Sequence, residues 1–546
     1  MLQQGGKPVR ARRSLTSVVS FFGWIIVVIG LSTACTATPA APPASTAAAT
    51  GQAAAQTTPQ ATPQAAAQAS DATLRVGISA PLNSMKPVGL QQTSMTYNRA
   101  IYDALINVGP RGTLLPNLAT SWDVSADGLT LTLHIRNGVT FQNGTPFTAE
   151  SAAAMMKWAQ DPANAMDATT VMKGMTISAS DPSTVVVKMT RPAAPELLPT
   201  LVTMPMADLS SDLAKAPVGT GPFKISSFTP NVQLTLARND SYWDKTRLPK
   251  IGGIKYTVFE NAASEVASFE SRAIDVLTYP PLNQVARLKD NGATIVSSPG
   301  TGNFYFFGNV TTQTPWANQK VRQALSYAFD RPTFVRLQLG GQGVPTCSMW
   351  AASSASFVQD IPGCGYDLAK AKQLLVEAGY PDGFTITFYT TDVRIPEITS
   401  FLPVYQQALK TIGVTLDIQT ISPNDWANNF TEISQNGKVG VQDNFYGWAN
   451  ADAFFANDYP VYGRPNLSRF TSPEYDALIQ KALDEWQTPE QQTATFKQLD
   501  IMANEQSFAI VLATRPYVYA VGKGASGVVV DDDGQADWNN VTVTAQ

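Results

Sequence analysis

Apolar and polar residues between positions 71 and 530 follow two different spacings. Residues 130–135 alternate with a period of two, which is typical of a strand with one buried face, whereas residues 398–412 repeat every three to four positions, as an amphipathic helix does. Strands are predicted at 73–78, 130–135, 184–189, 232–236, 254–259, 276–278, 303–307, 385–389, 415–419 and 508–521. Helices are predicted at 97–105, from Thr148 to about 158, at 264–271, from 320 onward as a long helix, and at 368–378, 398–412, 473–486 and 490–506. The alternation of strand and helix signals favours an α/β or mixed α+β fold with large sheets.

A different pattern occupies the N-terminus. Basic residues open the chain, an apolar run follows at 21–31, and three small residues lead to Cys35. This order describes an export signal, and a cysteine at the cleavage position indicates lipidation of the new N-terminus. We therefore predict a lipoprotein signal peptide at 1–35 that ends at lipidated Cys35, which places the protein outside the cytoplasm and on a bacterial membrane. The alternative is a retained anchor, because residues 17–34 reach the lower length limit for a membrane-spanning helix.

Residues 36–70 consist almost entirely of Ala, Pro, Thr, Gln, Ser and Gly. Without large apolar side chains this segment cannot bury a core, so we expect a disordered tether. The chain that follows is too long for one hydrophobic core and predicts two or more lobes.

Composition limits the possible partners of this body. The net charge is −4, and 15% of residues are charged while 44% are hydrophobic. A weakly acidic, folded chain implies no basic face for nucleic acid, so nucleic acid is a poor partner and we expect none. After position 31 no apolar run is long enough to cross a bilayer, which excludes a channel or permease.

The cysteines carry a second prediction. Cys347 and Cys364 remain once Cys35 is assigned to lipid, and they enclose a loop rich in small residues and Pro. In an oxidising compartment we expect them to form a disulfide. The alternative is a pair of buried thiols.

Candidate catalytic chemistry is scarce. The single histidine, His134, lies in the predicted strand 130–135, where it is expected to be structural. With this histidine assigned to the structure, none is left for the common catalytic triads, and a single histidine excludes multi-histidine zinc sites. The usual nucleophile and phosphate-loop motifs are missing from the sequence. We therefore expect a protein that is not an enzyme and that uses no metal or cofactor. An extracellular glycosidase stays open as a remote alternative, because paired carboxylates leave no sequence signature.

Five segments resemble the motifs of one protein family. They are 114–122 (LLPNLATSW), 133–150 (LHIRNGVTFQNGTPFTAE), 219–223 (GTGPF), 236–243 (LARNDSYW) and 321–331 (VRQALSYAFDR). The chain is thereby similar to the family 5 extracellular solute-binding proteins, the receptors of peptide, nickel and opine importers of the ATP-binding-cassette type. Within these motifs, Trp122 and Trp243 are interpreted as packing residues, and Arg322 as a structural residue in a buried ion pair.

The resemblance implies a large two-lobed periplasmic-binding-protein fold with three subdomains and two crossover strands that form a hinge. Lobe I would comprise 71–308 and 510–546, with an inserted subdomain at about 110–212. Lobe II would comprise 309–509. A ligand would be captured between the lobes and delivered to the permease subunits of the importer, and we expect a monomer.

The resemblance also implies candidate ligand-binding residues. Trp448 stands in a segment that begins Tyr-Gly-Trp, and Asp452 follows it near the place where peptide-binding members carry an aspartate for the ligand ammonium. Arg394 lies where some of these members use a basic residue for the ligand carboxylate, which suits a bidentate guanidinium. Further candidates lie on the strand that floors the cleft and in the first loop. They are Asn303, Tyr305, Phe307, Asn83 and Met85.

Peptides are the expected cargo, because their backbone can be recognised without side-chain selectivity. An oligosaccharide or an opine is the alternative, which stacking on Trp448 would favour. Nickel is not expected, because His134 lies in a motif interpreted as structural.

Overall fold

The computed structural model describes residues 70–79, 81–87, 94–109, 113–164, 166, 168–298, 302–352, 354–391, 395–422, 439–443, 468–485, 487–531 and 534–544. The strands are β1 (Thr73–Ile78), β2 (Ile106–Val108), β3 (Leu114–Pro116), β4 (Ala119–Val124), β5 (Thr130–Ile135), β6 (Thr176–Asp181), β7 (Thr184–Lys188), β8 (Phe223–Thr229), β9 (Gln233–Arg238), β10 (Gly253–Val258), β11 (Val276–Thr278), β12 (Thr294–Ser297), β13 (Gly302–Phe307), β14 (Phe384–Thr390), β15 (Val414–Thr420), β16 (Val439–Asp443), β17 (Ala509–Arg515), β18 (Val518–Val521), β19 (Ala525–Ser526), β20 (Val529–Val530), β21 (Ala536–Asp537) and β22 (Thr542–Val543). The helices are α1 (Asn98–Ile101), α2 (Ala149–Gln160), α3 (Ala168–Val171), α4 (Ala194–Thr203), α5 (Ala262–Glu270), α6 (Val285–Asp290), α7 (Gln319–Tyr327), α8 (Arg331–Gln338), α9 (Leu368–Glu377), α10 (Pro396–Thr411), α11 (Pro473–Asp484) and α12 (Pro489–Gln506). None of the helices in these ranges is both long and apolar enough to cross a membrane.

A seven-stranded sheet is built from both ends of the described chain, in the order β12-β18-β11-β1-β10-β9-β8. The first strand, β1, lies inside this sheet and pairs in parallel with β10 on one side and β11 on the other. Its residues Leu74, Val76 and Ile78 are buried in the largest apolar cluster of the described residues. A strand so buried on its inner face is held in register by its apolar pattern.

A four-stranded antiparallel sheet, β4-β5-β7-β6, lies within the predicted inserted subdomain at about 110–212. Helix α2 packs on it, and its N-terminus is fixed by Thr148, whose side chain accepts from the Ser151 N–H while the Ser151 hydroxyl accepts from the Thr148 N–H. This capping box satisfies two backbone donors that a helix end leaves unpaired. His134 on β5 lies 3.0 Å from an oxygen of Asp123 on β4, on the half-exposed face of this sheet.

A five-stranded sheet in the order β15-β14-β16-β13-β17 forms the second large layer. Helices α7, α8, α9 and α10 bury their apolar faces against one side of it around Phe306, Phe388 and Tyr405. The Phe306 ring lies 4.8 Å from the Phe388 ring and 5.6 Å from the Tyr405 ring, centroid to centroid. Aromatic packing of this kind contributes about 0.5–1.5 kcal/mol per pair beyond area burial.

The chain crosses between the two large sheets twice. It leaves β12 after Ser297 and enters β13 at Gly302, and it leaves β17 at Arg515 and enters β18 at Val518. The predicted lobe limits at 308/309 and 509/510 therefore fall inside the second sheet, because β13 and β17 pair with each other throughout. The division into lobes stays a prediction, and the sheet membership favours placing its crossings between β12 and β13 and between β17 and β18.

The motif residues have structural partners. Asp103 accepts hydrogen bonds from Tyr242 Oη at 3.0 Å, Trp243 Nε1 at 2.8 Å and Thr220 Oγ1 at 3.0 Å, so three residues from two of the motif segments meet at one buried carboxylate. Gly221 allows the close approach, because a Cβ there would lie 2.5 Å from the Ile101 carbonyl carbon. Trp122 is partly buried against the first core, as a packing residue would be.

Arg322 is buried, as predicted, but its partners differ from the prediction. Its guanidinium donates to the carbonyl oxygens of Gln506 and Trp316 at 2.8 Å and of Ala317 at 2.9 Å, where an ion pair was expected. Burial lowers its pKa to about 10. Backbone carbonyls at helix ends carry partial negative charge, which is why they can replace a carboxylate here.

Three predicted elements differ in length. The helix predicted at 97–105 ends at Ile101, because the Ile101 carbonyl accepts hydrogen bonds from Gly221 N and Gln142 Nε2 instead of continuing the helix. The long helix predicted from 320 is divided into α7 and α8, since Pro332 has no N–H with which to continue the helical ladder of α7, and the Asp330 side chain caps the new helix by accepting from the Thr333 N–H. The strand region predicted at 508–521 is divided by Pro516 into β17 and β18, which belong to different sheets.

Candidate functional site

A cavity of about 470 Å³ lies where the chain crosses between the two large sheets. Its walls come from elements of both sheets: the N-terminus of α5, the segment after β11, the end of α8, the first turn of α10, and the crossing between β17 and β18. Small-molecule sites in proteins have volumes of roughly 300–1,000 Å³ and commonly lie between two such units. The position and size therefore define a candidate ligand site.

The crossing segment itself is shaped by Pro516. Proline has no backbone N–H and a fixed φ, so β17 cannot continue its ladder past Arg515. The chain turns there, and Tyr517 and Val518 enter the other sheet. Arg515, Pro516, Tyr517 and Val518 all line the cavity, which places the site on the segment that a movement between the sheets would bend.

One wall of the cavity is aromatic. Tyr279, directly after β11, lies with its ring 6.0 Å from the Tyr517 ring and 5.2 Å from the Tyr519 ring, centroid to centroid. Its hydroxyl is 3.0 Å from the Tyr519 hydroxyl, and the Tyr519 hydroxyl donates to the Gly534 carbonyl at 3.2 Å. Because a phenol has one proton to donate, Tyr279 is then the donor to Tyr519.

Two side chains of opposite charge also line the cavity, Arg515 and Glu397. The Arg515 guanidinium lies over the Phe304 ring, 5.8 Å from its centroid, and Glu397 occupies the first turn of α10. A carboxylate near a helix N-terminus is stabilised by the helix dipole. The cavity thus presents both signs of charge together with apolar rings.

The candidates on β13 are buried. Asn303 donates from Nδ2 to the Met349 carbonyl at 2.7 Å, and Tyr305 and Phe307 point into the cluster formed with α11 and α12. The alternate residues Phe304 and Phe306 face the opposite cluster. None of the three predicted residues lines the 470 Å³ cavity, and their role in ligand binding stays a prediction.

The candidates of the first loop are divided between surface and core. Asn83 is exposed, whereas Met85 is fully buried. The Met85 N–H donates to the Ala214 carbonyl at 2.8 Å, and its own carbonyl accepts from the Tyr102 hydroxyl at 3.3 Å. Whether Asn83 and Met85 contact a ligand stays a prediction. Arg394, Trp448, Asp452 and Cys35 lie outside the described residues.

The disulfide loop lies beside β13. Cys347 and Cys364 are joined in a disulfide. Between them, the Met349 N–H and the Ser348 hydroxyl both donate to Asp500 on α12, a carboxylate with no exposed surface. Burial raises the pKa of Asp500 to about 7 against the opposing effect of these two hydrogen bonds. Sequence reasoning missed this contact, since Asp500 is one of several acids in a polar helix.

The described residues contain no candidate metal site. No three His, Cys, Asp or Glu side chains among the described residues come together in a group that could hold a metal ion. A second buried carboxyl, Glu265 on α5, accepts from the Thr278 N–H at 3.3 Å, and burial raises its pKa to about 7. It is fully buried behind β1 and does not line the cavity.

Two large sheets joined by two crossings, with a cavity beside the crossings, are the arrangement expected of a receptor that binds a solute. The sequence model described as "Bacterial extracellular solute-binding proteins, family 5 Middle" matches residues 113–465, and the chain belongs to this family. It is 27% identical over 485 residues to the "Glutathione-binding protein GsiB" of Escherichia coli strain K12, which covers 85% of this chain and 93% of that protein.

Solved structures agree on the fold. The substrate-binding protein CtaP of an ABC transporter from Listeria monocytogenes has a TM-score of 0.76 at 21% identity and covers 87% of this chain and 99% of its own. The dipeptide-binding protein from Pseudoalteromonas sp. SM9913, in complex with Met-Leu, has a TM-score of 0.70 at 20% identity and covers 87% of this chain and 100% of its own.

These comparisons confirm the predicted family and the two-lobed binding-protein fold. The protein is an extracytoplasmic substrate-binding receptor of an ATP-binding-cassette importer and not an enzyme.

Proposed function

We propose that the cargo is a short peptide, held in the 470 Å³ cavity between the two large sheets. The observation that carries this proposal is the cavity itself, because it combines opposite charges at Arg515 and Glu397 with apolar rings. A peptide has charged ends, a polar backbone and side chains of varied polarity, and it needs partners for its charges when it leaves water. Two relatives, a glutathione-binding protein and a dipeptide-binding protein, support the same class of ligand by their names.

Closure of the two sheets on the ligand would account for its capture and its delivery to the permease. A ligand that contacts walls from both sheets stabilises the arrangement in which those walls are near each other, by its difference in affinity for the two forms. Bending between β12 and β13 and between β17 and β18 would let the sheets move as two bodies. The closed form would then present a surface to the permease, from which the ligand is released for transport. The receptor acts as a monomer in this scheme.

Anchoring at the membrane is part of the same proposal. Lipidated Cys35 would hold the N-terminus in the outer face of the membrane, and residues 36–70 would form the tether. A flexible tether of about 35 residues has a root-mean-square reach of roughly 30–35 Å. The receptor would therefore stay close to its permease without being fixed against it.

A thermal-shift screen tests the cargo. The purified protein is screened against peptides of two to five residues, opines, oligosaccharides and nickel–histidine, and positive ligands are titrated by calorimetry. A bound peptide at a hundred times its Kd stabilises the native state by about 2.7 kcal/mol and raises Tm. Stabilisation by an opine or a sugar, with no response to any peptide, would refute the peptide cargo and leave the receptor role intact.

A further inference from the structure

Tyr279 adopts a backbone conformation that its side chain disfavours. Its φ is 48°, in the left-handed region where a bulky residue is sterically strained. Glycine would occupy this position without that strain. Such strain persists only where the surroundings enforce it, and it is concentrated at functional sites.

The surroundings of Tyr279 are unusually restrictive. Its N–H donates to the Val518 carbonyl at 2.9 Å, directly after the crossing from β17. Its hydroxyl is bonded to that of Tyr519, and its ring packs edge-on against the Tyr517 ring. The backbone bond, the hydroxyl and the ring are therefore all fixed by one short segment, residues 517–519, which forms the other side of the crossing.

The ring forms part of an apolar wall of the cavity. Pro280, Pro281, Pro516 and Tyr517 line the same cavity next to Tyr279. Ring faces of proline and tyrosine offer no strong hydrogen bonds, so they favour a ligand group that loses little by leaving water. Arg515 and Glu397 supply charge elsewhere on the lining.

We propose that Tyr279 is a specificity-determining residue, whose strained backbone holds its ring as the contact for an apolar or aromatic side chain of the bound ligand. This inference rests on the proposed peptide cargo and adds to it a preference at one position of the peptide. Glycine would relieve the backbone strain at position 279, but it has no ring that could contact the ligand. The tyrosine would therefore be retained in spite of the strain.

Two tripeptides that differ in one ring test the preference. Calorimetric titration compares Ala-Phe-Ala with Ala-Ala-Ala on the purified full chain. We expect the native protein to bind Ala-Phe-Ala roughly five- to tenfold more tightly, the size of one aromatic contact. Tyr279→Gly should bring the two Kd values within about twofold of each other, while Tyr279→Phe keeps the ring and the preference.

The failures are distinguishable. If the native protein binds both tripeptides equally, or if Tyr279→Gly keeps the preference, this inference is wrong and the peptide cargo stands. If the native protein binds neither tripeptide but binds another peptide of the screen, this inference falls alone. If it binds no peptide of two to five residues, the peptide cargo and the inference fall together.

The backbone part of the inference has its own control without ligand. Tyr279→Gly and Tyr279→Ala both remove the ring, and only the glycine relieves the strain at positive φ. The Gly variant should therefore unfold at a higher urea concentration than the Ala variant. Equal midpoints would overturn the claim that the backbone is held under strain.

Discussion

Replacing the buried carboxylate of Asp500 by an amide should change how stability depends on pH. Asp500 on α12 has no exposed surface and accepts hydrogen bonds from the Ser348 hydroxyl and from the Met349 N–H at 2.7 Å. It is one of the contacts that fix the disulfide loop to the helix, together with the hydrogen bond from Trp350 Nε1 to the Phe496 carbonyl at 3.3 Å. Because burial raises its pKa to about 7, the native protein holds this proton more tightly than the unfolded chain does.

The direction follows from this difference in proton binding. An unfolded aspartate titrates near pH 3.9, so between about pH 4 and pH 7 the unfolded chain has lost a proton that the native state keeps. Raising the pH through this window favours unfolding, and the contribution of Asp500 to stability falls. With a native pKa of about 7, the free energy of unfolding drops by roughly 2–3 kcal/mol between pH 5 and pH 8 on account of this group alone.

Asp500→Asn removes the titration and keeps the shape. The amide oxygen can still accept from Met349, and the amide N–H can donate to the Ser348 oxygen. We expect the variant to lie close to the native protein at pH 5 and to gain roughly 2–3 kcal/mol relative to it at pH 8. Asp500→Ala, in contrast, leaves two buried donors without an acceptor and should cost about 2–5 kcal/mol at pH 5. Because alanine does not titrate either, this cost relative to the native protein should be roughly 2–3 kcal/mol smaller at pH 8.

Urea unfolding at pH 5 and pH 8, followed by fluorescence, measures these differences. Trp350 is a suitable reporter, because it is buried against Phe496 in the loop that Asp500 holds. Asp290→Asn, which removes an exposed carboxylate from α6, is the matched control for the change in net charge. If the native protein and Asp500→Asn change in parallel from pH 5 to pH 8, Asp500 does not titrate in this window and the reasoning is refuted.

Cys35→Ser should move the protein from the membrane fraction to the soluble or unprocessed fraction, and failure of the native protein to incorporate labelled palmitate would contradict lipidation. Replacing both Cys347 and Cys364 by Ser should lower the free energy of unfolding by roughly 3 kcal/mol, because a closed loop of this length restricts the unfolded chain. Urea unfolding of the native protein and the variant, with and without reductant, measures the difference. Equal unfolding midpoints for the native protein and the variant without reductant would contradict a stabilising disulfide. Asp452→Asn should weaken the binding of free-amine peptides by about 2–5 kcal/mol and change the binding of N-acetylated peptides little. Arg394→Gln should weaken the binding of free-acid peptides by a similar amount and change the binding of amidated peptides little. Calorimetric titrations in which both variants bind every ligand as the native protein does would reject these two residues as ligand anchors.

Local signals in the sequence predicted much of the fold, because some elements are decided by their own residues. The period of two at 130–135 matches β5, and the capping residue Thr148 marks the start of α2. The lengths of the elements were harder to predict from the sequence. Helix α1 ends where the Ile101 carbonyl accepts hydrogen bonds from Gly221 and Gln142, which are far away in sequence. A contact of this kind overrides helix propensity and leaves no local trace.

The candidate site was harder to predict for the same reason. Its lining comes from segments around Tyr279, Glu397 and Arg515, which are separated by more than a hundred residues each. One signal was available: Pro516 stands inside the predicted strand 508–521, and proline in a strand interior argues for a break. That break is the crossing between sheets. The φ of Tyr279 had no signal, since tyrosine there contradicts the residue preference of the conformation.

The positions of β17 and β18 in the two large sheets set the order in which the protein can be assembled. Strand β17 forms an edge of the five-stranded sheet beside β13, and β18 lies between β12 and β11 in the seven-stranded sheet. Both strands come from residues 509–521, near the C-terminal end of the chain. Neither sheet can therefore be completed before these residues are synthesised. A ribosome-attached or partly translocated chain that lacks these residues leaves β13 without its partner on one side and β11 and β12 unjoined. The pairings that complete the two sheets therefore join parts of the chain more than two hundred residues apart.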